Sequence, residues 1–140
     1  MSLDILSIPF HSFLNIEKHD GDDFIFEAKQ RPEYLNHLST IHACVQLALA
    51  EASSGEFLQQ EFSEQKNEVI PVIRKTEAKY NRPATGTLYS RASFLSSDRD
   101  AVLEDLLSKG RCITRIKVEV FDADNTRVLT AVFDWFLKMK

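Results

Sequence analysis

Cysteine is scarce in this 140-residue chain, with Cys44 and Cys112 the only two. Two thiols cannot build a disulfide framework, and theirs is not a metal-ligand spacing, so they point to a reducing compartment. A basic surplus is missing as well. The formal net charge of −4 argues against a general nucleic-acid binder, which carries excess Lys and Arg. No long apolar run is present either. The longest, from Cys44 to Ala50, is broken by Gln46 and falls far short of the roughly 20 residues that a spanning helix needs. The stretch from Met1 to Phe13 carries Asp4, Pro9 and His11 and no basic leader, so it does not read as a signal peptide. What is there is ordinary for a globular protein: 44% hydrophobic and 27% charged residues. We expect one domain over 1–140, large enough for a real core, without membrane or nucleic-acid contacts and cytoplasmic.

Periodicity sets an element order. Phe10 to Glu17 reads as a first strand, and His19-Asp20-Gly21-Asp22 as a turn, since Asp-Gly favours tight hairpins. Asp23 to Lys29 alternates as a second strand and Pro32 opens a loop. A helix runs from about Thr40 to Gln60, with Ser39 or Thr40 placed to cap it. Val69 to Tyr80 and Thr87 to Leu95 read as strands around a Pro83-Ala84-Thr85-Gly86 turn. Asp98 to Ser108 is an amphipathic helix with Val102, Leu103, Leu106 and Leu107 as its buried stripe and Gly110 as its stop. Arg111 to Phe121 and Arg127 to Leu137 close the chain as strands. The simplest architecture is α+β, an antiparallel sheet with the first long helix packed on its concave face.

That helix is apolar on nearly every side, which is the pattern of a buried helix. One carboxylate, Glu51, stands inside it. Buried carboxylates are rare unless paired or chemically employed, so Glu51 reads either as a structural acid with a cationic partner or as a catalytic group.

With Asn36, His42, Glu51 and Gly55 at these spacings, the element order resembles that of the hotdog-fold acyl-CoA thioesterases, in particular the phenylacetate-pathway type and its bacterial relatives. The segment from Tyr80 to Gly86 is similar to the family's Tyr-x-x-Pro-x-x-Gly turn. The family places an Asn and a His-Gly-Gly ahead of the helix and an acid within it. Here Asn36, His42 and Glu51 match, while Ala43 and Cys44 stand where the glycines are usual. That departure adds two Cβ atoms where glycine permits close backbone approach. The Ser or Thr often found on the next strand has no counterpart: Ile73 occupies the aligned position, with Thr76 nearby.

The resemblance implies a hotdog fold, an antiparallel sheet wrapped around a long buried central helix, and hydrolysis of an acyl-CoA thioester without metal or redox cofactor. Glu51 would attack or activate water. The Ala43 N–H would belong to an oxyanion hole, helped by the helix dipole. His42 and Asn36 would hold the thioester region. Glu51 lies nine residues after His42, hence ~13 Å along the axis and about half a turn round. One helix cannot bring both to one carbon. Two antiparallel copies can, so we expect a homodimer, with pairing of dimers into a tetramer left open. Gln46 and Gly55 are candidate substrate contacts, and Lys79 and Arg82 are the best candidates for the phosphates of coenzyme A. The acyl group would lie along Leu47, Leu58 and Phe62. Cys44 reads as a small buried hydrophobe rather than a nucleophile. Two other readings stay open: a hydratase or dehydratase on the same fold, and a non-catalytic acyl-CoA or lipid-binding module in which Ala43 and Cys44 close the oxyanion site.

Overall fold

The computed structural model describes residues 3–140. In chain order its elements are helix α1 (Pro9–Phe13), strands β1 (Glu17–Lys18) and β2 (Phe26–Ala28), and helix α2 (Ala43–Glu61). Strands β3 (Val69–Tyr80) and β4 (Leu88–Phe94), helix α3 (Arg99–Lys109), and strands β5 (Arg111–Phe121) and β6 (Arg127–Met139) follow. The six strands form one antiparallel sheet in the order β1-β2-β4-β5-β6-β3. Period-two alternation does the sorting: Thr114, Ile116, Val118 and Val120 of β5 are buried, as are Leu129, Ala131, Phe133 and Leu137 of β6. Across that face lies α2, packed on β4, β5 and β6, with Leu49, Ala50 and Ala52 in the same core. Leu49 has no exposed surface, and burying a leucine contributes about 1.5–3 kcal/mol. The expected α+β arrangement is therefore the observed one.

The first strand is not. Pro9 to Phe13 is a turn of helix, and β1 shrinks to Glu17–Lys18. Proline at the first helical position has its φ preset and gives up an N–H that lacks a partner anyway. Phe10 and Phe13 of this helix are exposed while His11 is buried, so one polar ring rather than the aromatics faces the core. The second strand is likewise shorter than expected, Phe26–Ala28. At α2 the cap is neither Ser39 nor Thr40 but His42, whose Nδ1 accepts from the Cys44 N–H at 3.0 Å. On α3, Asp98 accepts from the Ala101 N–H and Gly110 ends the helix in the left-handed region at φ 73. Val102 and Leu106 are buried, but Leu107 is 60% exposed, because five residues carry it about 140° round from Val102.

β3 pairs with β6 along its whole length, with a bulge at Arg74, and its other edge is open. Twelve residues of unpaired edge, with Ile70, Val72 and Tyr80 exposed, form a surface that soluble proteins normally cover or charge. No helix among the described residues is long and apolar enough to cross a membrane.

Candidate active site

Two structures meet at the N-terminus of α2. The loop before it is braced by Asn36, whose Oδ1 accepts from the Leu38 and Thr40 N–H groups and whose Nδ2 donates to the Thr40 hydroxyl at 2.9 Å. The Tyr80–Gly86 turn holds it from the other side: the Ile41 N–H donates to the Ala84 carbonyl at 2.8 Å. The Tyr80 hydroxyl donates to the Ala43 carbonyl at 3.3 Å. Burial, with Cys44 alongside, pushes the Tyr80 phenol up, so it stays a donor. Ala43 is the first residue of α2, where an N–H has no intrahelical acceptor. The exposed ring of His42 uses Nδ1 as acceptor, which leaves the hydrogen of the neutral ring on Nε2. This end of the helix thus offers the Ala43 N–H and the His42 Nε2–H as two donors. Cys44 beside them is exposed rather than buried, because it falls on the side of α2 that the sheet leaves uncovered.

Gln46, one turn further, is 4% exposed and its Nε2 donates to the Ile41 carbonyl at 3.2 Å. Its Oε1 has no partner among the described residues.

The uncovered side continues as a stripe four residues apart: Ala43, Leu47, Glu51, Gly55 and Gln59 are all partly exposed. The helix is central, as expected, but this stripe is not covered by the chain's own sheet. The sheet wraps one side of α2 only, and the Glu51 side chain is 36% exposed. Glu51 and Gly55 open onto a cavity of about 500 Å³. Ile5 and Ile8 wall it from the N-terminal segment, Leu58 from α2 and Phe62 just after it, and Val69 and Ile73 from β3. Leu58 and Phe62 were expected on such a wall, whereas Leu47 does not line it. The Trp135 ring forms part of the far side, and its Nε1 donates to the Ser54 hydroxyl at 2.9 Å. The lining is apolar apart from a few polar side chains, as binding sites for small molecules are.

One partner of Glu51 escaped sequence reasoning. His11 of α1, 5% exposed, places Nε2 3.2 Å from Glu51 Oε2 and Nδ1 2.8 Å from the Ile5 carbonyl. The two residues are 40 positions apart, so no local pattern joins them.

Lys79 and Arg82 sit elsewhere, in an open cleft with Arg91, Arg127 and Glu119. Burial pushes the Glu119 carboxyl up, but the Arg127 hydrogen bond, Lys117 and Arg91 outweigh it and hold the group below the usual carboxylate range. Arg91 and Arg127 are thereby engaged at 3.3 and 3.1 Å. Lys79 and Arg82 make no ion pair among the described residues and are open to an anion. Within one chain, then, Glu51 and Gly55 share a cavity, while Asn36, His42, Ala43 and Gln46 cluster at the helix start. Lys79 and Arg82 lie with Tyr80 at the same end of the helix.

A family model described as "Domain of unknown function (DUF4442)" matches residues 11–137. No curated protein matches the chain. Among solved structures, a Pseudomonas aeruginosa protein of unknown function, described as a probable thioesterase, is similar at 15% identity with a TM-score of 0.81, over 100% of this chain and 99% of that one. A Haemophilus influenzae thioesterase is similar at 17% identity with a TM-score of 0.73, over 96% of this chain and 86% of that one. A Bacillus halodurans protein crystallised with CoA is similar at 15% identity with a TM-score of 0.70, over 97% and 80%. At these identities the likeness establishes the fold: the sheet wrapped on α2 is the hotdog arrangement of thioesterase-superfamily structures.

Proposed function

We propose, from the premise that the chain belongs to the DUF4442 family and has a thioesterase-superfamily fold, that it hydrolyses acyl-CoA thioesters to free acid and CoA. The observation that carries the reading is a carboxylate, Glu51, opening onto an apolar cavity of about 500 Å³. Glu51 takes a proton from water as that water attacks the thioester carbon. The C–S bond then breaks, and the departing thiolate recovers a proton from the carboxyl. The acyl chain occupies the cavity beside Gly55, Leu58 and Phe62.

The oxyanion needs donors, and the free N–H groups at the start of α2 lie far from Glu51 within one chain. Ala43 is eight residues away, ~12 Å along the axis. We assign the hole to the Ala43 N–H and His42 Nε2–H of a second copy, in a homodimer that pairs the open stripes of two antiparallel α2 helices. Asn36 holds the loop that carries those donors, and Gln46, with its unpartnered Oε1, is available to the partner or the substrate. The open edge of β3 and the uncovered stripe of α2 both favour such a dimer. Lys79 and Arg82 lie at the donor end of the helix, where the phosphates of coenzyme A would then fall. The Bacillus halodurans relative crystallised with CoA fits a nucleotide-bearing substrate of this kind. We read residues 1–140 as one such catalytic domain.

Free-thiol release from short, medium, long and aromatic acyl-CoAs, by wild type and Glu51→Gln, tests the proposal. Turnover that collapses in the variant supports it. Tight acyl-CoA binding without turnover by either protein points instead to a binding module.

A further inference from the structure

The geometry around His11 fixes a proton count. A backbone carbonyl only accepts, so the contact of 2.8 Å to the Ile5 oxygen puts a hydrogen on Nδ1. A neutral imidazole then has a bare Nε2, which also only accepts. An ionised carboxylate only accepts as well. Nε2 and Glu51 Oε2 nevertheless stand 3.2 Å apart, and a hydrogen bond there requires one further proton, carried by one atom or the other.

We infer that His11 and Glu51 form a dyad holding one shared proton, and that His11 is the positioning residue for the carboxylate that hydrolyses the thioester. The second half of this inference rests on the proposed function; the first does not. The pair itself carries no net charge, which matters because an unpaired charge beside a buried acyl chain is strongly unfavourable. The other charged groups lining the cavity are Lys66 and Lys140, and neither is paired with the dyad.

Holding Oε2 also selects the working oxygen. With Oε2 engaged by the ring, Oε1 is the atom left for water. During turnover Oε1 takes one proton from water and later yields one to the thiolate, while the dyad's own proton stays between Nε2 and Oε2. The count closes on one water consumed, one acid and one thiol formed. The ring makes both contacts from the five-residue helix α1, a turn begun by Pro9.

The test is 15N NMR of histidine-labelled protein at neutral pH, wild type beside Glu51→Gln, with thiol release measured on both. In wild type, His11 should show protonated Nδ1 and a proton-bearing or proton-sharing Nε2. In Glu51→Gln the amide itself donates to Nε2, so the ring becomes the neutral Nδ1–H tautomer. Identical bare-Nε2 spectra from the two proteins would overturn the dyad whatever the activity. Wild-type hydrolysis by Glu51→Gln would instead overturn the proposed function, and His11's positioning with it, while a spectral change would still stand for the shared proton. For positioning, His11→Ala is expected to lower kcat at least about tenfold with KM within about twofold, and His11→Gln, whose amide donates to the same oxygen, to recover most of it. Equal loss in both variants, or a loss carried by KM, would refute it.

Discussion

Gly55 lies deep inside α2, where glycine is the least favourable residue short of proline, and replacing it with alanine separates what the fold needs from what the cavity needs. A Cβ built there meets Ile5 Cδ1 at 3.5 Å and the Trp135 ring at 3.9 Å, ordinary contact distances with no clash. Helix propensity alone then favours Gly55→Ala by about 0.8–1.0 kcal/mol. For a chain of this size, about 1 kcal/mol raises Tm by roughly 3–4 °C. The same methyl group projects into the cavity proposed for the acyl chain and displaces about one methylene of a substrate that fills it. A buried methylene is worth about 0.8 kcal/mol, hence about a fourfold loss in kcat/KM for such chains. Shorter chains are unaffected. Urea unfolding and a kcat/KM series over acyl length read the two effects from one protein. A lower unfolding midpoint would refute the steric reasoning. A stabilised variant with an unchanged length profile would show that the acyl group lies elsewhere.

Other consequences can be checked independently. Trp135 is the one tryptophan of the chain and lines the cavity, so a saturating fatty acid is expected to shift its emission. Filling the cavity by Gly55→Leu abolishes the shift, and a shift that persists there would place the ligand outside. Glu119 is held in its charged form by its cationic neighbours, so its contribution to stability is present above the unfolded carboxyl value, about pH 4.3, and is lost as pH falls through the lower folded value. The stability gap between wild type and Glu119→Gln is therefore expected to be open at neutral pH and to close on acidification. A gap independent of pH would contradict that. Ala43→Pro deletes the proposed oxyanion donor at little structural penalty, because proline is favoured at the first helical position and His42 already has the extended φ −57, ψ 138 that a following proline demands. Its kcat is expected to fall about a hundredfold or more with the melting temperature nearly unchanged. Undiminished turnover would remove Ala43 from the chemistry.

The long elements were legible because their signals are local. β3 and β5 have the bounds that alternation gives, and α3 ends at its expected Gly110 stop. Glu51 stood out as a charge inside an apolar run, and it does open onto the cavity. Two things were not legible. Phe10 to Glu17 reads as a strand, but Pro9 opens a helical turn there, and its His11 meets Glu51 in a contact 40 positions apart. The side of α2 that stays open was hidden for a related reason: Leu47, Gly55 and the small residues around Glu51 read as core in a pattern that counts hydrophobicity alone. A stripe left for a second copy of the chain has the same composition as one covered by its own sheet.

In the proposed dimer the carboxylate and the oxyanion donor of one site come from different copies, and mixing two inactive variants is the sharpest test of that arrangement. Glu51→Gln and Ala43→Pro would each be assayed alone, then denatured together in equal amounts, refolded and assayed for thiol release. Half of randomly reassorted dimers are mixed, each with one intact site of two, so activity is expected to recover to about a quarter of wild type. A mixture no more active than its two inactive components would contradict it.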